Sequence, residues 1–146
     1  MQEVELSKKF KENAVTTIGL ACMFLFLYTG YNKLIDHQRF EKGIANVHFL
    51  REYSVFVSWF VPCIEILISF LLMFPKTLKL GFLAFASLML IFTGYIAGML
   101  LWAKHMPCGC GGVIEKMSWI QHLWFNLIFL ALSIFALRLK VYSKTA

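Results

Sequence analysis

Charged side chains are scarce in this chain. Of its 146 residues 15% are Asp, Glu, Lys or Arg, while 60% belong to the apolar set; an ordinary soluble domain is about a quarter charged and about half apolar. A water-filled exterior cannot be built from this composition, which excludes a soluble enzyme. Acidic residues are scarcer than basic ones, 8 against 14, leaving a net charge of +6. The basic residues form no stripe and sit between long uncharged runs, so they argue against nucleic acid as a partner and for membrane spans with positive flanks. Strand-type alternation over about ten residues is also missing, which removes a transmembrane β-barrel. At this length the chain, residues 1–146, is a single membrane domain.

Four windows are long and apolar enough to cross a bilayer, which takes roughly 17–25 residues. They run from about 14 to 34, 55 to 74, 80 to 102 and 117 to 137. The expected fold is therefore all-α, a four-helix transmembrane bundle. Pro75-Lys76-Thr77 breaks the second window from the third, because proline ends a helix and lysine prefers the headgroups. The first window has a basic leader, Lys8, Lys9 and Lys11, but no small-x-small site follows its apolar run, so it reads as a retained helix. In the first long loop Phe40, Ile44, Val47 and Arg51 recur at helical spacing, which predicts a short interfacial helix with its apolar side down.

Eight basic residues flank the spans on the side shared by the termini: Lys8, Lys9, Lys11, Lys76, Lys79, Arg138, Lys140 and Lys144. Six lie on the other side over longer loops: Lys33, Arg39, Lys42, Arg51, Lys104 and Lys116. The positive-inside rule then places both termini in the cytoplasm and the long loops outside, in a multi-pass protein of the cytoplasmic (inner) membrane.

The loop between the third and fourth windows reads His105-Met106-Pro107-Cys108-Gly109-Cys110-Gly111-Gly112. Two thiols so close in an oxidising compartment tend to become a disulfide. Bridging them requires the chain to turn, and Gly109 permits the turn because it enters φ > 0 without a Cβ clash. So small a ring favours an exchangeable bond, and His105, when protonated, would lower a neighbouring thiol's pKa. Three readings stay open: a redox-active pair with Cys108, Cys110 and His105 as catalytic residues, a purely structural bridge, and a zinc site completed by Glu115 or His122. Closing so short a loop removes little chain entropy, which makes it a poor staple. The redox reading leads.

Polar residues inside the spans add a second candidate site. Glu65 lies ten residues into its window, about 15 Å deep at helical rise, where ionisable groups are costly and usually functional. Pro62, three residues earlier, should loosen the helix and open a pocket beside it. His122 and Asn126, four apart, share a face of the last span. Tyr28, Thr29, Tyr31, Thr93 and Tyr95 fall in the same outer half, as a shared outward-opening site requires. Glu65, His122 and Asn126 are the candidates to bind a lipid-soluble cofactor, a quinone, beside membrane lipid as a partner. Gly94 and Gly98, at i, i+4, read as a close-packing pair, and Cys22 and Cys63 as separate packing residues rather than a relay.

These motifs, Gly30-Tyr31-x-Lys33-Leu34-x-Asp36, Pro62-x-x-Glu65, Pro107-Cys108-x-Cys110-Gly111, then Trp119 and Asn126, resemble the methylamine-utilisation MauE family, a branch of the DoxX-like membrane proteins. Gly112 departs from the bulky residue expected at its position. The resemblance implies a four-helix membrane protein tied to thiol–disulfide chemistry outside the cytoplasm: MauE as a maturation factor for disulfide formation in methylamine dehydrogenase, DoxX relatives as companions of quinone-linked sulfur oxidation. The expected function is a membrane thiol–disulfide oxidoreductase or redox accessory protein. Its cysteines would exchange with an extracytoplasmic thioredoxin-fold partner or client and pass electrons to quinone. The alternative is a non-catalytic membrane subunit or maturation chaperone whose cysteine pair is a fixed bridge or metal clamp.

Overall fold

A computed structural model describes residues 2–102 and 118–145. Among the described residues five α-helices follow one another: α1 (Gln2–Ile35), α2 (His37–Ala45), α3 (Ser54–Met73), α4 (Leu78–Trp102) and α5 (Trp119–Thr145), with a 3-10 turn at Arg51–Tyr53 before α3. No strand occurs among the described residues. Four helices are long and apolar enough to span a membrane, over Ser7–Ile35, Arg51–Met73, Leu78–Leu101 and Trp119–Lys140. Each overlaps one of the four windows expected from hydropathy. The helices themselves run further, because the polar leader of α1 and the tail of α5 continue the helix past the apolar run.

The ends have local causes. Phe74 is extended, with φ −101° and ψ 130°, as the residue before Pro75 must be. The Thr77 hydroxyl then donates to the carbonyl of Leu71 at 2.8 Å, satisfying one of the orphan acceptors at the end of α3. At the start of α5, the Gln121 N–H donates to Ser118 Oγ at 3.3 Å and the Ser118 N–H to Gln121 Oε1 at 3.0 Å, a reciprocal capping box.

The long helices form a ring in which α1 packs on α3, α3 on α4, α4 on α5 and α5 back on α1. Large apolar side chains such as Phe24, Phe60, Leu67, Leu90 and Trp124 point outward, as lipid-facing surfaces allow. Across the middle and the terminus-side half, Cys22, Phe26, Ile68, Phe82 and Phe85 pack into one core. The rings of Phe26 and Phe85 meet at 4.2 Å between centroids across the bundle.

Two glycines set helix spacing, and neither is the expected pair. A Cβ on Gly81 would lie 3.0 Å from the backbone of Leu71 and Leu72, so the α3–α4 hairpin closes only over a residue without a side chain. A Cβ on Gly30 would lie 3.3 Å from the Pro62 carbonyl oxygen and 3.4 Å from Glu65 Oε2. Gly94, by contrast, has nothing within 4 Å of its Cβ position. The close-packing role expected of Gly94 is therefore corrected: spacing along one helix does not say which face meets a neighbour.

The short helix of the first loop exists, but at 37–45, and Val47 and Arg51 lie beyond it. Ile44 is buried, and the helix packs on α3. It is the expected short helix of the first loop, and it packs over the bundle's end with Ile44 turned inward. The reason lies in the helix ends. Gly30 sits level with Pro62 and Glu65, five residues below the end of α1, whereas Glu65 lies eleven residues below the start of α3. α1 therefore stops several ångströms short of α3, and α2 fills the height difference.

Candidate functional site

Glu65 is 1% exposed, and its carboxylate is bonded to the ammonium of Lys33 on α1. Gly30, one turn before Lys33, lets α1 approach α3 at the Pro62 carbonyl, which brings the two charges together. The same ammonium lies 4.9 Å from the centroid of the Phe92 ring on α4 and 5.4 Å from that of Phe40 on α2. Four helices thus converge on one cation, held by a carboxylate and two ring faces. The Thr29 hydroxyl lies beside the same carboxylate and donates to the Phe26 carbonyl at 3.4 Å. Beneath the pair, Ser69 Oγ donates to the Glu65 carbonyl at 2.9 Å and lies 3.3 Å from the Met23 carbonyl on α1.

The pair borders a cavity of about 340 Å³. Its polar lining consists of Thr29, Lys33, Glu65, Tyr95, His122 and Asn126; aliphatic and aromatic side chains make the rest, with Phe40 and Ile44 of α2 as part of its wall. Glu65, His122 and Asn126, expected from depth alone to share a site, do line one space. Thr29 and Tyr95 join them. Tyr31 instead is 62% exposed, and Tyr28 and Thr93 stand outside the lining. Pro62 is fully buried and is likewise absent from the cavity wall; it meets α1 at Gly30, so it serves helix contact rather than opening the pocket.

Two buried polar atoms around the cavity, Glu65 Oε2 and Asn126 Nδ2, have no hydrogen-bond partner among the described residues. Asn126 is 4% exposed. An acceptor and a donor left unpaired in an apolar setting each cost free energy comparable to a lost hydrogen bond.

Lys33 is the residue that sequence reasoning missed. Its position near the end of the first apolar window reads as a headgroup anchor, and only the early stop of α1 relative to α3 lowers it to the level of Glu65. The available signal was a lone intramembrane acid in a chain with one cation, Lys33, inside its four apolar windows. The two remaining described thiols are apart in environment: Cys22 is buried in the core and Cys63 is exposed on the outer face of α3, both free. Cys22 is the packing residue expected, whereas Cys63 faces away from the bundle and packs in no core.

The catalytic candidates His105, Cys108 and Cys110 lie outside the described residues, as does Glu115. The stretch that carries them, 103–117, leaves α4 at Trp102 and returns at Ser118, next to Trp119 of the cavity wall.

The family model of methylamine utilisation protein MauE matches residues 11–139. The chain belongs to the MauE family. No curated protein and no solved structure matches it at a significant level. The match takes in all four spanning helices of this MauE-family chain together with Lys33, Glu65, His122, Asn126 and the cysteine loop. Family membership makes it a membrane protein associated with methylamine utilisation; the chemistry has to be argued from its own residues.

Proposed function

We propose that this MauE-family protein is a membrane thiol–disulfide oxidoreductase, or the membrane half of one, whose Cys108–Cys110 pair oxidises thiols outside the cytoplasm. One observation carries the reading: the cavity that gathers Lys33, Glu65, His122 and Asn126 lies at the end of the bundle where the cysteine-bearing stretch leaves and rejoins the helices. A thiolate of a client or of a thioredoxin-fold carrier attacks one sulfur of the bridge, forming a mixed disulfide and releasing the other cysteine as thiolate. The carrier's second thiol then displaces the first attachment. The carrier leaves oxidised, while Cys108 and Cys110 remain as two thiols holding the two electrons.

The cavity fits the head group of a quinone on three counts. Its volume lies at the small end of ligand sites, its walls are mostly apolar, and it offers an amide donor on Asn126 and an acceptor on Glu65 that are unpaired among the described residues. A quinone bound there would supply a two-electron, two-proton acceptor for the cysteine pair. Asn126 Nδ2 and the Lys33 ammonium would donate to its oxygens, and Glu65 and His122 would handle protons. Phe26, Leu88 and Met89 close the inner side of the space and exclude water from below.

Orientation follows from the flanking charges. Lys33 is engaged with Glu65 and does not act as a flank, so the contrast becomes eight basic residues on the terminus side against five on the other. That strengthens the assignment of the termini to the cytoplasm and of the loop to the outside.

Trapping tests the proposal. In cells, a Cys110→Ser variant should accumulate a reducible covalent adduct through Cys108, or a Cys108→Ser variant one through Cys110. If neither variant captures a protein and the double variant keeps full maturation activity, the chain is a non-catalytic subunit.

A further inference from the structure

The opposite end of the bundle opens with a different chemistry. A cleft of about 1170 Å³ lies between α1, the α3–α4 hairpin and the last turns of the apolar part of α5. Lys11, Lys76, Lys79 and Lys140 line it, with Glu12 the one acid among its described lining residues. These lysines come from three separate stretches of the sequence, so their convergence is a product of the fold and not of a basic run. Lysine ammoniums are compact, mobile charges suited to a phosphate in any of several poses.

The cleft is also long. It follows α1 from Lys11 to Met23, about 18 Å at helical rise. Its character changes along that length. Beyond the lysines the wall is Val15, Leu20, Met23 and Leu72, with no charged group. A soluble anion would use only the mouth. A molecule with an anionic head and a hydrocarbon tail uses both parts.

The charge of the whole chain points the same way. Counting along the sequence, the terminus side of the spans carries eight basic and three acidic residues, the loop side six and five. Nearly all the net positive charge therefore belongs to the end where this cleft opens. Basic pockets between membrane helices hold anionic headgroups by this complementarity.

We infer that the cleft binds an anionic phospholipid, its phosphate among Lys11, Lys76, Lys79 and Lys140 and an acyl chain laid along α1 toward Met23. The lipid would tie α1 to the α3–α4 hairpin and to α5. The inference is independent of the redox reading and survives its failure.

The test uses the full chain in nanodiscs of phosphatidylcholine with or without phosphatidylglycerol, and native mass spectrometry of the lipids it retains. The wild-type protein should keep phosphatidylglycerol in preference to phosphatidylcholine and melt at a higher temperature when it is present. A Lys76→Gln, Lys79→Gln, Lys140→Gln variant should lose at least about tenfold of that retention. A Lys8→Gln, Lys9→Gln, Arg138→Gln variant, with the same loss of charge outside the cleft, should keep most of it. Equal loss in both variants would reduce the effect to bulk surface charge and overturn the site. Stabilisation by inorganic phosphate alone, as large as that by phosphatidylglycerol, would overturn the lipid as occupant. Circular dichroism of each variant guards against misfolding: a variant that loses helix is replaced by the single Lys79→Gln change, which should lower retention about fivefold.

Discussion

The two halves of the bundle solve burial in opposite ways. On the terminus side, Cys22, Phe82, Phe85 and Ile68 pack the centre with hydrocarbon, and the cleft along α1 gathers its charged groups at one end, away from that core. On the loop side the helices stand around a cavity, and an ion pair, an amide and an imidazole reach into it. In a membrane the hydrophobic effect does not drive helices together, so packing and polar contacts hold them. Both halves leave space between helices, but only the loop-side cavity has buried polar side chains in its wall. There the Lys33–Glu65 pair and the α2 cover hold the helices around it.

The sharpest way to break this comparison is to remove one charge. Lys33→Met leaves the Glu65 carboxylate buried without its partner and should cost about 3–5 kcal/mol, read as a large drop in the thermal unfolding midpoint in nanodiscs. Adding Glu65→Leu to the same chain should recover most of the loss, because two matched apolar groups remove the burial problem together. A single variant as stable as wild type would mean that water already reaches the pair, and the two halves would be less different than described.

A smaller effect is expected where the terminus-side half is tightest. Gly81→Ala places a methyl group 3.0 Å from the backbone of Leu71 and Leu72, which no rotamer change can relieve. The hairpin must shift, at about 1–3 kcal/mol, and quinone retention by the loop-side cavity should stay at the wild-type level. If retention falls with stability, the halves move as one body.

Asn126→Leu probes the opposite half in the opposite sense. Its Nδ2 has no partner among the described residues, so an apolar replacement should leave stability within about 1 kcal/mol of wild type or raise it. Quinone recovered in lipid extracts of the purified protein should drop sharply. A variant that is strongly destabilised and still retains quinone would assign Asn126 to helix packing.

Much of this contrast could be read in the residues themselves, for definite reasons. The four spans were legible because a run of about twenty apolar residues has few other uses. The gathering of Glu65, His122 and Asn126 was legible because depth within each span is a linear count at 1.5 Å per residue. Lys33 was not, since its depth depends on how far α1 slides against α3, and that offset is set by the Gly30–Pro62 contact between two different helices. α2 was foreseen as a helix, yet its role as cover depends on the same offset. Hydropathy also says nothing of the Lys11, Lys76, Lys79 and Lys140 cleft, because three distant stretches build it. His105, Cys108 and Cys110 lie beyond the described residues, so the sulfur chemistry rests on their spacing and on the trapping experiment.

The smallest expected effect separates sequence pattern from contact. Gly94 stands four residues before Gly98, the spacing that invites a close helix approach, but its Cβ position is open space. An alanine there meets no neighbour and gains the intrinsic helix preference of Ala over Gly, about 0.5–1 kcal/mol. Gly94→Ala should therefore be neutral or slightly stabilising in the same nanodisc unfolding assay, while Gly81→Ala is clearly destabilising. A loss of more than about 1 kcal/mol at Gly94 would put a surface beyond the described residues against α4, since no described residue comes near enough to object. The pair of alanine substitutions thus distinguishes a helix face turned toward lipid from one that carries a partner, on the half of the bundle where the polar cavity lies.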